Sequence, residues 1–140
     1  MSEFDIALSF AGEDRLYVDK VANLLVSKGV KVFYDNFEEV NLLGKNLYDY
    51  LSDVYSNKAT YTVMFASQHY ANKIWTNLER QAMQSKALME NREFILPVRI
   101  DNTPIPGLLP VIAYVTTAQK SPEDLADLLC KKLELFKNAK

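Results

Sequence analysis

Cysteine and histidine are almost missing from this sequence, with one of each in 140 residues. A single thiol, Cys130, cannot close an internal disulfide, so the chain is not a stapled secreted scaffold. With His69 as the sole imidazole, the usual nitrogen and sulfur donors of a zinc site cannot be assembled, and no metal is expected. No Lys/Arg-rich run appears and the net charge is −2, which leaves out the electrostatic footprint of a nucleic-acid binder. No apolar run approaches the roughly 18 residues of a membrane span. The start, Met1-Ser2-Glu3-Phe4-Asp5, lacks the basic-then-apolar pattern of a signal peptide. These absences together give the expectation of a cytoplasmic protein that binds neither membrane nor nucleic acid. The length suits one domain, 1–140, which serves equally as a free unit or as one domain of a longer protein.

What is present is an alternation of strand-like and helix-like segments. Phe4 to Phe10 reads as a first strand. Asp14 opens a helix with Val18, Val21, Ala22 and Leu25 on one stripe, ended by Gly29. Val30 to Tyr34 reads as a second strand, followed by a long loop from Asp35 to Gly44. Leu47, Leu51, Val54 and Tyr55 mark a second helix. Ala59 to Ala66 is a third strand, nearly apolar throughout, as a strand covered on both faces should be. A third helix is expected from about Tyr70 to Glu90, and a fourth strand from Phe94 to Ile100. Pro97 is a blemish there, because proline removes a ladder donor and marks an edge or bulge. A Pro-rich loop (Pro104, Pro106, Gly107, Pro110) leads to a short last strand, Val111 to Val115. Ser121-Pro122-Glu123-Asp124 opens a final helix with a capping Ser and Pro at its first position. Leu125, Leu128, Leu129 and Phe136 are expected to face inward.

Five βα units in this order specify an α/β fold: a flavodoxin-like, doubly wound, five-stranded parallel sheet of order 2-1-3-4-5 with helices on both faces. Ligands of such sheets bind outside the carboxyl ends of the strands, at the switch between strands one and three. Those ends are Ser9-Phe10-Ala11-Gly12 and Ala66-Ser67. A phosphoacceptor receiver would need an Asp at the end of strand three, where Phe65-Ala66-Ser67 stands. A flavodoxin would need a phosphate cradle after strand one, where Glu13 and Asp14 would repel phosphate. No GxGxxG or Walker sequence occurs.

Trp75 and Glu79 stand four residues apart in the third helical segment, on one face if it is helical. The pair alone also suits a core indole beside a solvated carboxylate. An indole beside a carboxylate can equally hold a flat cationic ring and stabilise positive charge developing next to it.

Taken in order, these segments resemble a Toll/interleukin-1 receptor (TIR) domain of bacterial type. Asp5 to Asp14 is similar to its first box, Asp35 to Gly44 to its BB loop, and Ser67-Gln68-His69-Tyr70 with Trp75 and Glu79 to its catalytic segment. Ile95-Leu96-Pro97-Val98 and the Pro-rich loop match as well, which would account for Pro97. The resemblance implies cleavage of NAD+ to nicotinamide and ADP-ribose or a cyclic isomer, with NAD+ as substrate and no cofactor. It implies Glu79 as the catalytic residue. It implies substrate contacts from Phe10, Ala11, Gly12, Arg15, Asp35, Phe37, Lys45, Ser67 and Trp75, with Tyr34 nearer the core. It also implies assembly with other TIR domains through the Asp35–Gly44 loop, where Phe37, Val40, Leu42 and Leu43 supply apolar side chains, in bacterial antiphage signalling. Two other readings stay open: a non-catalytic interaction module of the same fold, and a domain acting on another nucleotide.

Overall fold

The computed structural model describes residues 3–72, 94–105 and 112–139. Five strands form one parallel sheet: β1 (Phe4–Ser9), β2 (Val32–Phe33), β3 (Ala59–Ala66), β4 (Ile95–Arg99) and β5 (Val115–Thr116). Their spatial order is β2-β1-β3-β4-β5, as the alternation of segments requires. Among the described residues the helices are α1 (Arg15–Ser27), α2 (Glu39–Leu42), α3 (Leu47–Asp53), α4 (Gln68–Asn72) and α5 (Pro122–Asn138), with a π-helical turn, Val54–Lys58, continuing α3 through Val54 and Tyr55. The third helical segment expected from the sequence is described only over α4. Trp75 and Glu79 lie outside the described residues.

β3 is central, and all eight of its residues are buried. Side chains of a strand alternate between faces, so both faces of β3 are covered. Tyr61 and Phe65 meet Phe136 of α5 and Tyr17 of α1, with ring centroids 5.7 Å and 6.3 Å apart. The two helices are also tied directly, by Tyr17 Oη donating to the Lys120 carbonyl and by Lys28 paired with Asp127. Elsewhere Phe33 packs edge-on against Tyr55 and at a tilt against Tyr50.

Pro97 sits within β4, paired level with Met64 of β3, and costs no ladder bond. Phe94 and Ile100 bond to β3, whereas the Arg99 carbonyl accepts from Thr117 on the β5 side. Residues 95, 97 and 99 therefore turn their backbone groups toward β5. β5 begins only at Val115, level with Val98, so the missing N–H of Pro97 points to where no ladder has started.

Helix ends follow the sequence closely. Ser121 Oγ accepts from the Asp124 N–H while the Asp124 carboxylate accepts from the Ser121 N–H, a capping box with Pro122 behind it. α1 ends in a Schellman turn: Gly29 N–H donates to the Val26 carbonyl and Val30 N–H to that of Leu25, with Gly29 at φ +85.

Several expectations need correcting. Asp14 does stand at the N-cap of α1, but it makes no side-chain cap there and closes a 3-10 turn, Gly12–Asp14. The strands β2 and β5 are two residues each. The segment 35–44 is not an open loop: Asp35–Glu38 is a 3-10 turn and α2 follows directly. Leu128 is exposed, because the buried stripe of α5 runs through Leu125, Ala126, Leu129 and Leu133.

Candidate functional site

The carboxyl ends of β1 and β2 bring Phe10, Tyr34 and Asp35 together with Arg15 at the start of α1. Phe10 is buried and stacks on Tyr34, with centroids 5.5 Å apart; Tyr34 in turn meets Phe37 edge-on at 5.0 Å. The Arg15 guanidinium lies 5.0 Å from the Phe10 centroid and 5.6 Å from that of Tyr34. It donates to both oxygens of Asp35, at 2.9 and 3.1 Å, and to Tyr34 Oη at 3.2 Å. Tyr34 Oη then donates to Asp19 Oδ1 at 3.1 Å. The hydrogen bonds to Asp35 hold the Arg15 pKa above its already high ordinary value, against the opposing effect of burial. Burial raises the Tyr34 phenol as well.

Beneath this group lies a cavity of about 140 Å³, lined by Leu8, Phe10, Phe33, Leu42, Leu51 and Tyr55, with Asp35 its charged member. An engineered cavity of about 150 Å³ holds one benzene. The space therefore suits a single planar ring, and most of a dinucleotide would lie outside it.

A second cluster stands at the carboxyl ends of β3 and β4. Ser67 is fully buried. Its Oγ donates to Asp14 Oδ2 at 2.6 Å and accepts from the Tyr70 N–H at 3.1 Å. The Gln68 N–H donates to Asp101 Oδ2 and the Thr103 N–H to Asp101 Oδ1. The first turn of α4 is thus fastened to two crossover loops, through Asp14 and Asp101. Burial raises the Asp14 carboxyl above its ordinary value, against the Ser67 hydrogen bond and the charge of His69. At Asp101 burial also acts to raise the carboxyl, but the donors from Gln68 and Thr103 prevail and leave it lowered.

The sequence-expected contacts divide accordingly. Phe10, Arg15, Asp35 and Phe37 converge. Ala11 is buried and its carbonyl accepts from the Asp14 N–H. Gly12 is exposed, and a side chain there would meet nothing within 4 Å, so no close approach demands glycine. Lys45 is exposed, with Nζ 5.2 Å from the Tyr50 ring. Ser67 faces Asp14, with its hydroxyl both donating and accepting within the protein. Sequence reading missed the two carboxylate anchors. An Asp-x-Thr turn just past the end of β4 was the available signal for Asp101; nothing local pairs Asp14 with a residue 53 positions on. Among the described residues, no helix is long and apolar enough to cross a membrane.

The apolar side chains of segment 35–44 divide between solvent and the cavity. Val40 and Leu43 are 89% and 87% exposed, while Leu42 turns in to line the cavity.

Comparison with known proteins agrees with this fold. The family described as TIR domain matches residues 6–130. The chain is 58% identical over 140 residues to 3' cyclic ADP-D-ribose synthase AaTIR of Aquimarina amphilecti, a match covering 97% of this chain and 43% of that protein. It is 32% identical over 97 residues to NAD(+) hydrolase TcpA of Theionarchaea archaeon, covering 69% of this chain and 28% of that one. The chain therefore spans less than half the length of either relative. Among solved structures, the TIR domain of the Toll-related receptor TRR-2 from Hydra magnipapillata superimposes with a TM-score of 0.70 at 18% identity, over 96% of this chain and 97% of that one. With the same sheet order, a family match across nearly its whole length and relatives of the same kind, this chain belongs to the TIR domain family.

Proposed function

We propose that this domain cleaves the nicotinamide–ribose bond of NAD+. The observation that carries the proposal is the 58% identity, over nearly the whole chain, to a protein named as a cyclic ADP-ribose synthase. The same relationship favours a cyclic product over linear ADP-ribose, the product class of the hydrolase relative.

The chemistry asks little of the protein beyond placement and charge. Nicotinamide departs as a neutral base from a pyridinium cation, so no acid is needed at the leaving group, unlike ordinary glycosidases. As the C–N bond breaks, positive charge gathers on the ribose. An ionised Glu79 would stabilise that charge and hold the ribose hydroxyls. Trp75 would face the cationic ring, an interaction worth about 0.5–2 kcal/mol. A hydroxyl of the same molecule, or water, then forms the new C–O bond and releases its proton. Phe10 and the cavity beside it offer apolar surface for one ring. Ser67 supports the start of α4, the helix that leads toward Trp75 and Glu79 in the sequence.

Activation would come from assembly. Phe37, Val40 and Leu43 put exposed apolar surface on one segment, and head-to-tail packing of copies would cover it. We place this activity in the cytoplasm, in antiphage signalling, with the domain working inside a longer polypeptide.

The test is nicotinamide release from NAD+ by concentrated protein beside Glu79→Ala, with products resolved by chromatography. Release abolished in the variant, with a cyclic product from the wild type, is the expected result. Absence of release from a clustered, folded wild type would return the domain to a non-catalytic interaction module.

A further inference from the structure

The resemblance gives Arg15 a contact to the substrate, but its geometry points to a different task. Its guanidinium meets Asp35 in a two-point fork, at 2.9 and 3.1 Å, and adds Tyr34 Oη at 3.2 Å. One face lies toward Phe10 and Tyr34. Forked pairing fixes the plane of both groups, which a single contact does not. Asp35 is the first residue of the 35–44 segment and borders the 140 Å³ cavity. Arg15 and Asp19 lie one turn apart on α1, and both reach the end of β2, through Asp35 and Tyr34. The result is a chain of contacts, Asp35 to Arg15 to Tyr34 to Asp19, that stitches the head of the 35–44 segment to α1. Each side chain of the ion pair is about one-third exposed, so the pair can open without unfolding the core.

From these contacts we infer that Arg15 is a positioning residue, which latches the 35–44 segment over the cavity and the end of β1, and is not a contact to the substrate diphosphate. Three of the five guanidinium N–H groups are already committed, two to Asp35 and one to Tyr34, so the groups that fix its position are within the protein and only its remaining edge faces a ligand. The latch deepens the NAD+-cleaving reading and rests on it for its effect on catalysis, but not for its effect on the segment itself. Opening it frees Asp35 and lets the rim of the cavity move, and displacements of about 1 Å cost on the order of 100-fold in rate. It also loosens the segment that carries Val40 and Leu43, the surface available to a second copy.

The experiment uses Arg15→Ala, Asp35→Asn and the exchanged pair Arg15→Asp/Asp35→Arg, read by backbone hydrogen exchange over 35–44 and by the kcat and KM of nicotinamide release. A latch predicts exchange at least about tenfold faster in both single variants. It predicts similar losses of kcat in both, little change in KM, and recovery of both readouts in the exchanged pair. A diphosphate contact predicts otherwise: Arg15→Ala raises KM, Asp35→Asn leaves KM unchanged or lowers it by freeing the guanidinium, and the exchanged pair recovers nothing. That pattern would overturn the inference, as would unchanged exchange in both single variants. If no form of the protein releases nicotinamide, yet exchange quickens in the singles and is restored in the pair, the latch stands and the NAD+ reading falls.

Discussion

Ser67→Ala is the sharpest test of how the fold supports its candidate site. The hydroxyl removed is buried and engaged on both sides, donating to Asp14 Oδ2 at 2.6 Å and accepting from the Tyr70 N–H at 3.1 Å. A hydrogen bond to a charged group contributes about 1.5–3 kcal/mol, and the low end applies because water can reach the partly buried Asp14. Losing a serine acceptor at a helix start costs about 1 kcal/mol more. The expected penalty is therefore about 2–3 kcal/mol at neutral pH. For a chain of 140 residues that corresponds to a Tm lower by about 6–9 °C.

The penalty should also depend on pH, with a determined sign. Burial holds the folded Asp14 pKa above its unfolded value, and the Ser67 hydrogen bond partly offsets that rise. A raised folded pKa means that ionised Asp14 destabilises the fold at neutral pH, a cost that disappears as pH falls through the folded pKa. Without Ser67 the folded pKa climbs further, so the variant gains more from acidification than the wild type does. Urea unfolding of both proteins near pH 7 and near pH 4 would measure this, with m unchanged between them. The gap in stability should narrow at the lower pH, and Asp14→Asn should remove most of that dependence. A gap below about 0.5 kcal/mol at pH 7, the level of an ordinary surface substitution, would refute the reasoning. So would a gap equal at both pH values.

Three further outcomes are expected. Leu43→Asp, at a side chain 87% exposed, should change stability by under about 0.5 kcal/mol yet lower nicotinamide release at fixed protein concentration; equal specific activity across a dilution series would dismiss the assembly role. Gly29→Ala should cost about 1 kcal/mol in urea unfolding, all of it from the backbone at φ +85, since nothing lies within 4 Å of the added carbon. Asp101→Asn should lose stability that the wild type has above the unfolded carboxylate pKa and loses as pH falls through the lowered folded value; the two proteins' pH–stability curves should therefore converge in acid.

The sheet was legible because its evidence is local and redundant. An apolar run at β3 requires cover on both faces, and helix signals between successive strands require parallel pairing. The errors are of a different kind. β2 and β5 are edge strands, paired on one side only, and their length is set by how far the neighbour runs alongside, which no local pattern records. Leu128 was misplaced because it stands one position off the stripe of Leu125, Leu129 and Leu133, a rotation of about 100° on a helix. The stretch 35–44 has no proline and a single glycine, Gly44, at φ +86. Between those limits Glu38-Glu39-Val40-Asn41-Leu42 can wind, and it does so as α2.

The sequence brings candidate residues to the carboxyl edge of the sheet but does not show how they pair, and the distinction bears on mechanism. Arg15 and Asp35 were both read as reaching for substrate, yet each is the other's partner across 20 positions. Ser67 was read the same way, yet its hydroxyl serves Asp14 and the backbone of α4. Asp14, Asp35 and Asp101, carboxylates from three crossover segments, each fasten one part of the sheet's carboxyl edge to another. A carboxylate committed to such bonds is fixed in direction and partly neutralised, which suits it to hold a frame and unsuits it to follow charge developing on a substrate. Cleavage of a pyridinium glycoside needs a single free carboxylate, not a pair. In this arrangement Asp14 and Asp101 build the frame, which under the proposed NAD+ cleavage leaves the chemistry to Glu79. Asp101→Asn should then act through stability and the geometry of α4, with activity recoverable at lower temperature. Under the proposed NAD+ cleavage, Glu79→Gln should abolish nicotinamide release even at temperatures where thermal melting shows the variant to be folded.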